Sequence, residues 1–297
     1  MSSRNNPISA VQKKRTASTT PKKRTVSSSR PSRAPKKAPV KQHYSMPGWL
    51  RNILAVAIVG CFSMVFYYFF IRPYAYRWKP CNGLKEYGVC IPSGYDIHGI
   101  DISHYQGKID WGRLLQNKQT ATPLHFIFMK ATEGGDHNDT TFQTNFANAR
   151  NHGFIRGAYH FYIPGTDALK QADFFIRTVK LVSGDLPPVL DVEVTGRKEK
   201  KELQQGIKRW LDRVESHYGV KPILYTSYKF KTRYLDDSIF NAYPYWIAHY
   251  YVDSVRYQGK WHFWQHTDVG SVPGIKEYVD LNVFNGSLEE LKKLTIK

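Results

Sequence analysis

Asp191 and Glu193 stand one residue apart in LPPVLDVEV (186–194), where two prolines lead into a short apolar run. Two carboxylates on what reads as a buried strand are costly unless they are paired, hydrated or used. Residues i and i+2 of a strand project to the same side, so both acids face one way. Asp101 in GIDIS and Asp280 in YVDLNVFNG are two further acids read at strand ends. Four acids converging on one cavity raise at least one pKa through like-charge repulsion and partial burial. A carboxyl that keeps its proton near neutral pH is what cleavage of a glycosidic bond requires. Taken alone, Asp101 fits a turn cap and Asp280 a partner for a nearby base; the D-x-E pair is harder to explain structurally.

Aromatic residues gather at the same strand ends: Tyr159, Phe161, Tyr225, Trp246, Tyr250 and Trp264. Flat rings pack on sugar faces, so the set reads as a carbohydrate cleft, with about half of the six expected to serve as core filler. The histidines invite a metal, but His98, His104, His160, His249, His262 and His266 have no recognised ligand spacing. No metal requirement is expected.

Short β-branched and aromatic runs alternate with helical patterns from about residue 92 onward. Strands are predicted at 98–103, 125–131, 155–162, 188–193, 222–227, 245–250 and 261–267. Helices are predicted at 140–152, 166–182 and 199–218, each with its apolar residues on one face. Strand–helix alternation over this length predicts an α/β fold with a parallel sheet, and seven strands favour a barrel. Little helix separates the last two strands, so an irregular TIM-like β/α barrel is expected. In such barrels functional side chains gather at the C-terminal ends of the strands.

The charge of +19 is unevenly spread over the 297 residues. Residues 1–90 hold 17 Lys/Arg and one acid, Glu86, whereas residues 91–297 hold 26 Lys/Arg and 23 Asp/Glu. The total therefore gives no ground for specific nucleic-acid binding. Residues 1–48 have almost no large apolar side chains and read as a disordered basic tail suited to anionic lipid. Next comes ILAVAIVGCFSMVFYYFFI (53–71), 19 residues without a charge. As a helix it spans ~28 Å, close to the ~30 Å apolar core of a bilayer. Trp49 at one end and Tyr67, Tyr68, Tyr74, Tyr76 and Trp78 at the other resemble interfacial aromatic belts. A cleaved signal peptide does not fit the long leader or the lack of a small-x-small site.

The expected organisation is a cytoplasmic tail (1–48), a transmembrane helix (49–72), a linker (73–95) and a barrel (96–297). The positive-inside tendency makes this a single-pass protein of the inner, cytoplasmic membrane, with the barrel periplasmic or extracellular. Cys81 and Cys90, nine positions apart on that outer side, suggest a disulfide closing a small loop; two free thiols are the alternative.

Several motifs occur here in the order found in family-25 glycoside hydrolases: GIDISHYQGKIDW, FIFMKATEGGDHND, GFIRGAYHFYIPGTDALKQADFF, LPPVLDVEV, KPILYTSYKF, YWIAHY and FWQHTDVGSVPGIKEYVDLNVFNG. The resemblance covers about residues 97–290. It implies a lysozyme, an N-acetylmuramidase built on an irregular β/α barrel. Such an enzyme hydrolyses the β-1,4 bond between N-acetylmuramic acid and N-acetylglucosamine of peptidoglycan and needs no cofactor. By the resemblance, Glu193 matches the general acid/base. Asp191 matches the partner that orients or stabilises the 2-acetamido group as it attacks the anomeric carbon. Asp101 and Asp280 match supporting carboxylates, and Tyr159, Tyr225, Trp246, Tyr250 and Gln265 lie in motifs that line the cleft. Ile163 stands before Pro164 where relatives often carry a polar or basic residue.

A D-x-E ending also occurs in chitinases, but their longer D-x-x-D-x-D-x-E pattern is missing, with Leu186 and Val189 among the non-acids at its positions. The alternative from another class is a membrane-tethered peptidoglycan-binding protein with a dead site. A retaining, substrate-assisted route fits the D-x-E arrangement, while the spacing of same-face strand residues leaves an inverting outcome open.

Overall fold

The structure is a computed structural model that describes residues 45–72, 81 and 83–297. The tail expected at 1–48 lies outside the described residues up to position 44, as does the stretch 73–80 with Tyr74, Tyr76 and Trp78.

Helix α1 (Gly48–Phe66) continues as a wider, π-helical turn over Tyr67–Ile71. The whole run, Gly48–Ile71, is long and apolar enough to cross a membrane, and none of the residues of α1 is buried within the protein.

The remainder is built around a closed barrel. Its strands are β3 (Ile97–Ile102), β4 (Leu124–Glu133), β6 (Ile155–Phe161), β7 (Val189–Asp191), β8 (Ile223–Ser227), β9 (Tyr245–Ala248), β10 (Phe263–Gly270) and β11 (Val279–Phe284). Pairing of β3 with β4 closes the ring, and a short β5 (His137–Asn138) hangs on the end of β4. The run from β3 through β4, β6, β7, β8 and β9 to β10 is parallel. β11 is antiparallel to both of its neighbours, β10 and β3. This eighth strand is missing from the seven expected, and its reversal is what makes the barrel irregular.

Helices α2 (Trp111–Gln116), α3 (Phe142–Asn151), α4 (Ala168–Thr178), α5 (Lys200–Tyr218) and α6 (Tyr228–Tyr234) fill the connections from β3 to β9, and α7 (Leu288–Leu294) follows β11. The three longer helices fall within about four residues of their predicted ends. The three short ones, α2, α6 and α7, escape periodicity because six or seven residues make barely two turns. Their ends are marked by caps instead. Asp110 accepts from Arg113 N at 3.1 Å before α2, and Ser287 and Glu290 form a capping box before α7.

Alternation along each strand separates two cores. Outward residues such as Ile100, Ile127, Leu190, Leu224 and Ile247 meet Phe175, Trp210 and Val214 from the helices. Inward residues fill the lumen with Phe126, Phe128, Val189, Ile223, Trp246 and Phe263. Each such side chain, fully buried, contributes roughly 1.5–3 kcal/mol. Gly99 and Gly157 are the inward residues that leave room for the large rings. A Cβ on Gly99 would lie 2.5 Å from the Phe126 ring, and one on Gly157 2.5 Å from Phe128.

From residue 83, the stretch read as linker is packed structure. Strands β1 (Lys85–Glu86) and β2 (Val89–Cys90) form a hairpin turning through Tyr87 (φ 52°) and Gly88 (φ 78°), a turn with two left-handed residues. Tyr87 and Ile91 join the same buried cluster as Ile100, Val272, Val279 and Leu281. The Tyr87 hydroxyl donates to Thr122 O at 3.0 Å, and Ser271 N donates to Tyr87 O at 2.8 Å. The hairpin thus packs beside β10 and β11, whose connecting loop carries no α-helix. Cys81 and Cys90 are joined as a disulfide across it, Cα–Cα 5.5 Å.

Candidate active site

At the top of the lumen the inward positions change from apolar to polar. Above Ile97 and Gly99 on β3 comes Asp101; above Phe126 and Phe128 on β4 comes Lys130; above Val189 on β7 comes Asp191. The first turn of chain beyond β7 carries Glu193, because β7 ends at Asp191 rather than at the expected Glu193. Asp280 lies at the start of β11, not at a strand's end. Since β11 runs backwards, its start is at the same rim, and Asp280 is the Cα partner of Asp101.

All nine residues singled out in the sequence line one cavity of about 230 Å³: the acids Asp101, Asp191, Glu193 and Asp280 with Tyr159, Tyr225, Trp246, Tyr250 and Gln265. Of the six strand-end aromatics, five line it, since Phe161 joins the four tyrosine and tryptophan positions just named. More of them face the site than the half expected. Trp264 is the exception: it is fully buried, and its Nε1 donates to His249 O at 2.9 Å.

A hydrogen-bond chain fixes the rim. Gln265 Oε1 accepts from Tyr225 at 2.7 Å and from Tyr250 at 2.5 Å. Its Nε2 donates to Asp101 Oδ2 at 2.8 Å. The same oxygen accepts from Asn282 Nδ2 at 2.7 Å, while Asn282 Oδ1 accepts from Trp246 Nε1 at 2.7 Å. Three aromatic side chains are therefore locked, through two amides, onto one carboxylate. Asp191 is treated differently: its Oδ1 is buried with no hydrogen-bond partner, a state that costs energy unless something arrives to satisfy it.

The electrostatics follow from this crowding. Burial pushes Asp101 up to about 7, against the pull of the Asn282 and Gln265 donors and with Glu193 adding to the rise. Burial and the neighbouring Asp101, Asp268 and Glu193 push Asp280 up to about 9. Asp191 is raised well above the usual carboxylate range by burial, then by Glu193 and Asp101. Glu193 stands on the open side and is exposed. The surrounding walls still remove enough water to raise its carboxyl, while the Tyr225 hydroxyl and the Lys130 charge pull it down. A solvent-reachable carboxyl with a raised pKa, beside a buried and unsatisfied one, can donate a proton to a bond laid across the mouth.

Two features of the site escape the sequence reading. Asn282 is two residues from Asp280, on the same face of a strand, so extending the period of two along YVDLNVF would have found it. Lys130 follows Phe128 in the same way, and its Nζ donates to Glu133 Oε2 at 2.6 Å. Among the described residues, no group of three or more His, Cys, Asp or Glu side chains is arranged to hold a metal ion.

Comparison with known proteins agrees with this geometry. Residues 100–275 match the family described as Glycosyl hydrolases family 25. An uncharacterized protein, YegX, of Escherichia coli (strain K12) is 43% identical over 224 residues, covering 75% of this chain and 80% of that one. Lysozyme M1 of Streptomyces globisporus is 32% identical, covering 67% of this chain and 71% of its own. The structure of a family 25 glycosyl hydrolase from Bacillus anthracis superposes with a TM-score of 0.62 at 33% identity, over 68% of this chain and 95% of that one. With the acids gathered at one rim and the family match spanning most of the barrel, the chain belongs to glycosyl hydrolase family 25 and is a glycoside hydrolase.

Proposed function

We propose that the protein is a muramidase, hydrolysing the β-1,4 bond between N-acetylmuramic acid and N-acetylglucosamine of peptidoglycan with retention of configuration. The observation that carries this reading is the meeting of Asp101, Asp191, Glu193 and Asp280 around one open cavity walled by aromatic rings. Membership of a family whose relatives include a lysozyme supports the substrate class.

Glu193 gives its proton to the glycosidic oxygen as the C1–O bond breaks. The acetamido carbonyl oxygen of the same muramic residue forms the new bond to C1. The acetamido N–H turns to Asp191, whose Oδ1 lacks a donor. Water then attacks C1, its proton passes to the Glu193 carboxylate, and the acetamido group is restored. Asp101 and Asp280 act as supports: the first anchors the Gln265–Asn282 chain, and the second stands opposite it.

In the same proposal α1 anchors the protein in the inner membrane as a single span, the basic tail lies in the cytoplasm against anionic lipid, and the barrel works outside. The apolar run Gly48–Ile71 supports the anchor, and the Lys/Arg excess before it supports the orientation. C-terminal reporter fusions that work only in the cytoplasm would overturn that topology.

The enzymatic test uses the full chain, solubilised in mild detergent, on purified peptidoglycan. Borohydride reduction and mass analysis should find muramitol at the new ends; glucosaminitol ends would point to a different bond. Proton NMR should show the β-anomer first, and an initial α-anomer would refute retention.

A further inference from the structure

Among the described residues lining the acidic cavity, one is a cation, Lys130. It is 9% exposed. Its ammonium is held by Glu133 at 2.6 Å and lies 5.0 Å over the Phe161 ring. Of its three N–H donors, one is given to Glu133. Strand register explains its placement. Lys130 is level with Tyr159 on β6 and, through it, with Val189 on β7. Glu133 is level with Phe161 and, through it, with Asp191. The Lys130–Glu133 pair therefore flanks the rungs from which Asp191 and Glu193 rise.

We propose that Lys130 is the counter-ion of the Asp191–Glu193 pair, and that Glu133 meters its charge by holding the ammonium at the cavity wall. The inference rests on the roles proposed above for Asp191 and Glu193. Those roles need the two neighbours in opposite states: Glu193 with its proton, Asp191 able to carry charge. Burial works against this by favouring the protonated form of both, whereas their mutual repulsion only keeps a proton on one of the two. Lys130 opposes them, drawing both carboxyls down, whereas Glu133 pushes Asp191 up.

Among the described residues, the other groups that line the cavity around the pair do not supply a positive charge. Asp101 comes from β3 and Asp280 from β11, both acids held high by burial. Tyr159 from β6, Tyr225 from β8 and Tyr250 beyond β9 are phenols raised by burial. Behind β4, His160 is pushed down to about 3 by burial, between Thr132 and Gln171. Lys130 acts through Asp191 and Glu193 and is a positioning residue.

The test is a pair of variants with opposite expected signs. In Lys130→Met, the alkaline limb of the rate at saturating peptidoglycan, which reports loss of the Glu193 proton, should move upward by about one pH unit. In Glu133→Gln the ammonium is freed and the limb should move downward. Lys130→Arg should restore the wild-type position. The second readout needs no turnover: ¹³C NMR titration of the Glu193 carboxyl in the full chain labelled at glutamate, assigned by its loss in Glu193→Gln. Midpoints that shift up in Lys130→Met and down in Glu133→Gln support the counter-ion role. Midpoints that stay fixed, or that move the same way in both, overturn it even if the rate falls. A wild type that titrates as expected but cleaves no peptidoglycan defeats the muramidase reading instead.

Discussion

Asp101 and Asp280 face each other as Cα partners on antiparallel strands, and burial raises both carboxyls, with two amide donors opposing the rise at Asp101 and the Asp101 charge adding to it at Asp280. Both lie above the ~3.9 of a free aspartate, so the folded protein binds more protons than the unfolded chain. Stability linked to these groups is full below about pH 4 and is lost as pH rises through their folded values. The melting temperature should decline between about pH 4 and about pH 9. Asp280→Asn should flatten the upper part of that decline in a scanning-fluorimetry series, and an unchanged slope would contradict the pairing.

Glu193→Gln removes the proposed proton donor while keeping shape and hydrogen-bonding capacity. Release of reducing ends should fall by about 10²–10⁴-fold, with the thermal transition retained. Residual activity near that of the wild type would assign the donor's role to another residue.

Asn282→Leu severs the chain between Trp246 and Asp101. The Trp246 N–H and one lone pair of Asp101 lose their partner in a buried setting, at about 1–3 kcal/mol. Urea unfolding should show a lower midpoint with an unchanged slope. Since the Asn282 donor lowers the Asp101 pKa, that carboxyl should also titrate higher in the variant.

Gly99→Ala and Gly157→Ala should each destabilise the barrel by about 1–3 kcal/mol, because the added methyl would meet a lumen ring at 2.5 Å. Both glycines lie below the acids, so loss of activity should track loss of fold in circular dichroism. A variant that keeps its stability would mean that the phenylalanine rings can step aside.

The acids were legible because a strand's period of two puts Asp191 and Glu193 on one side without knowledge of the rest. The direction of β11 was not legible. Nothing in YVDLNVF distinguishes a strand that leaves the rim from one that arrives there, and only the pairing with β3 and β10 decides it. Lys130 and Asn282 sat in quoted motifs, yet a lysine in a β-run reads as a solvated edge and an asparagine as a turn. The meaning of Asn282 comes from Asp101, 181 residues away in the chain, and that of Lys130 from acids at the end of another strand, Asp191 and Glu193. The hairpin at 85–90 was read as linker because two-residue strands carry no periodicity.

That hairpin has a mechanical consequence. Any pull that arrives along the preceding chain enters at Cys81 and crosses the sulfur bridge to Cys90. From there the chain runs to β3 through Ile91, which is buried in the outer core and takes up part of the load, while the Tyr87 turn lies within the bridged loop. The strand that carries Asp101 is thereby shielded from strain, as a cable is by a clamp ahead of its plug.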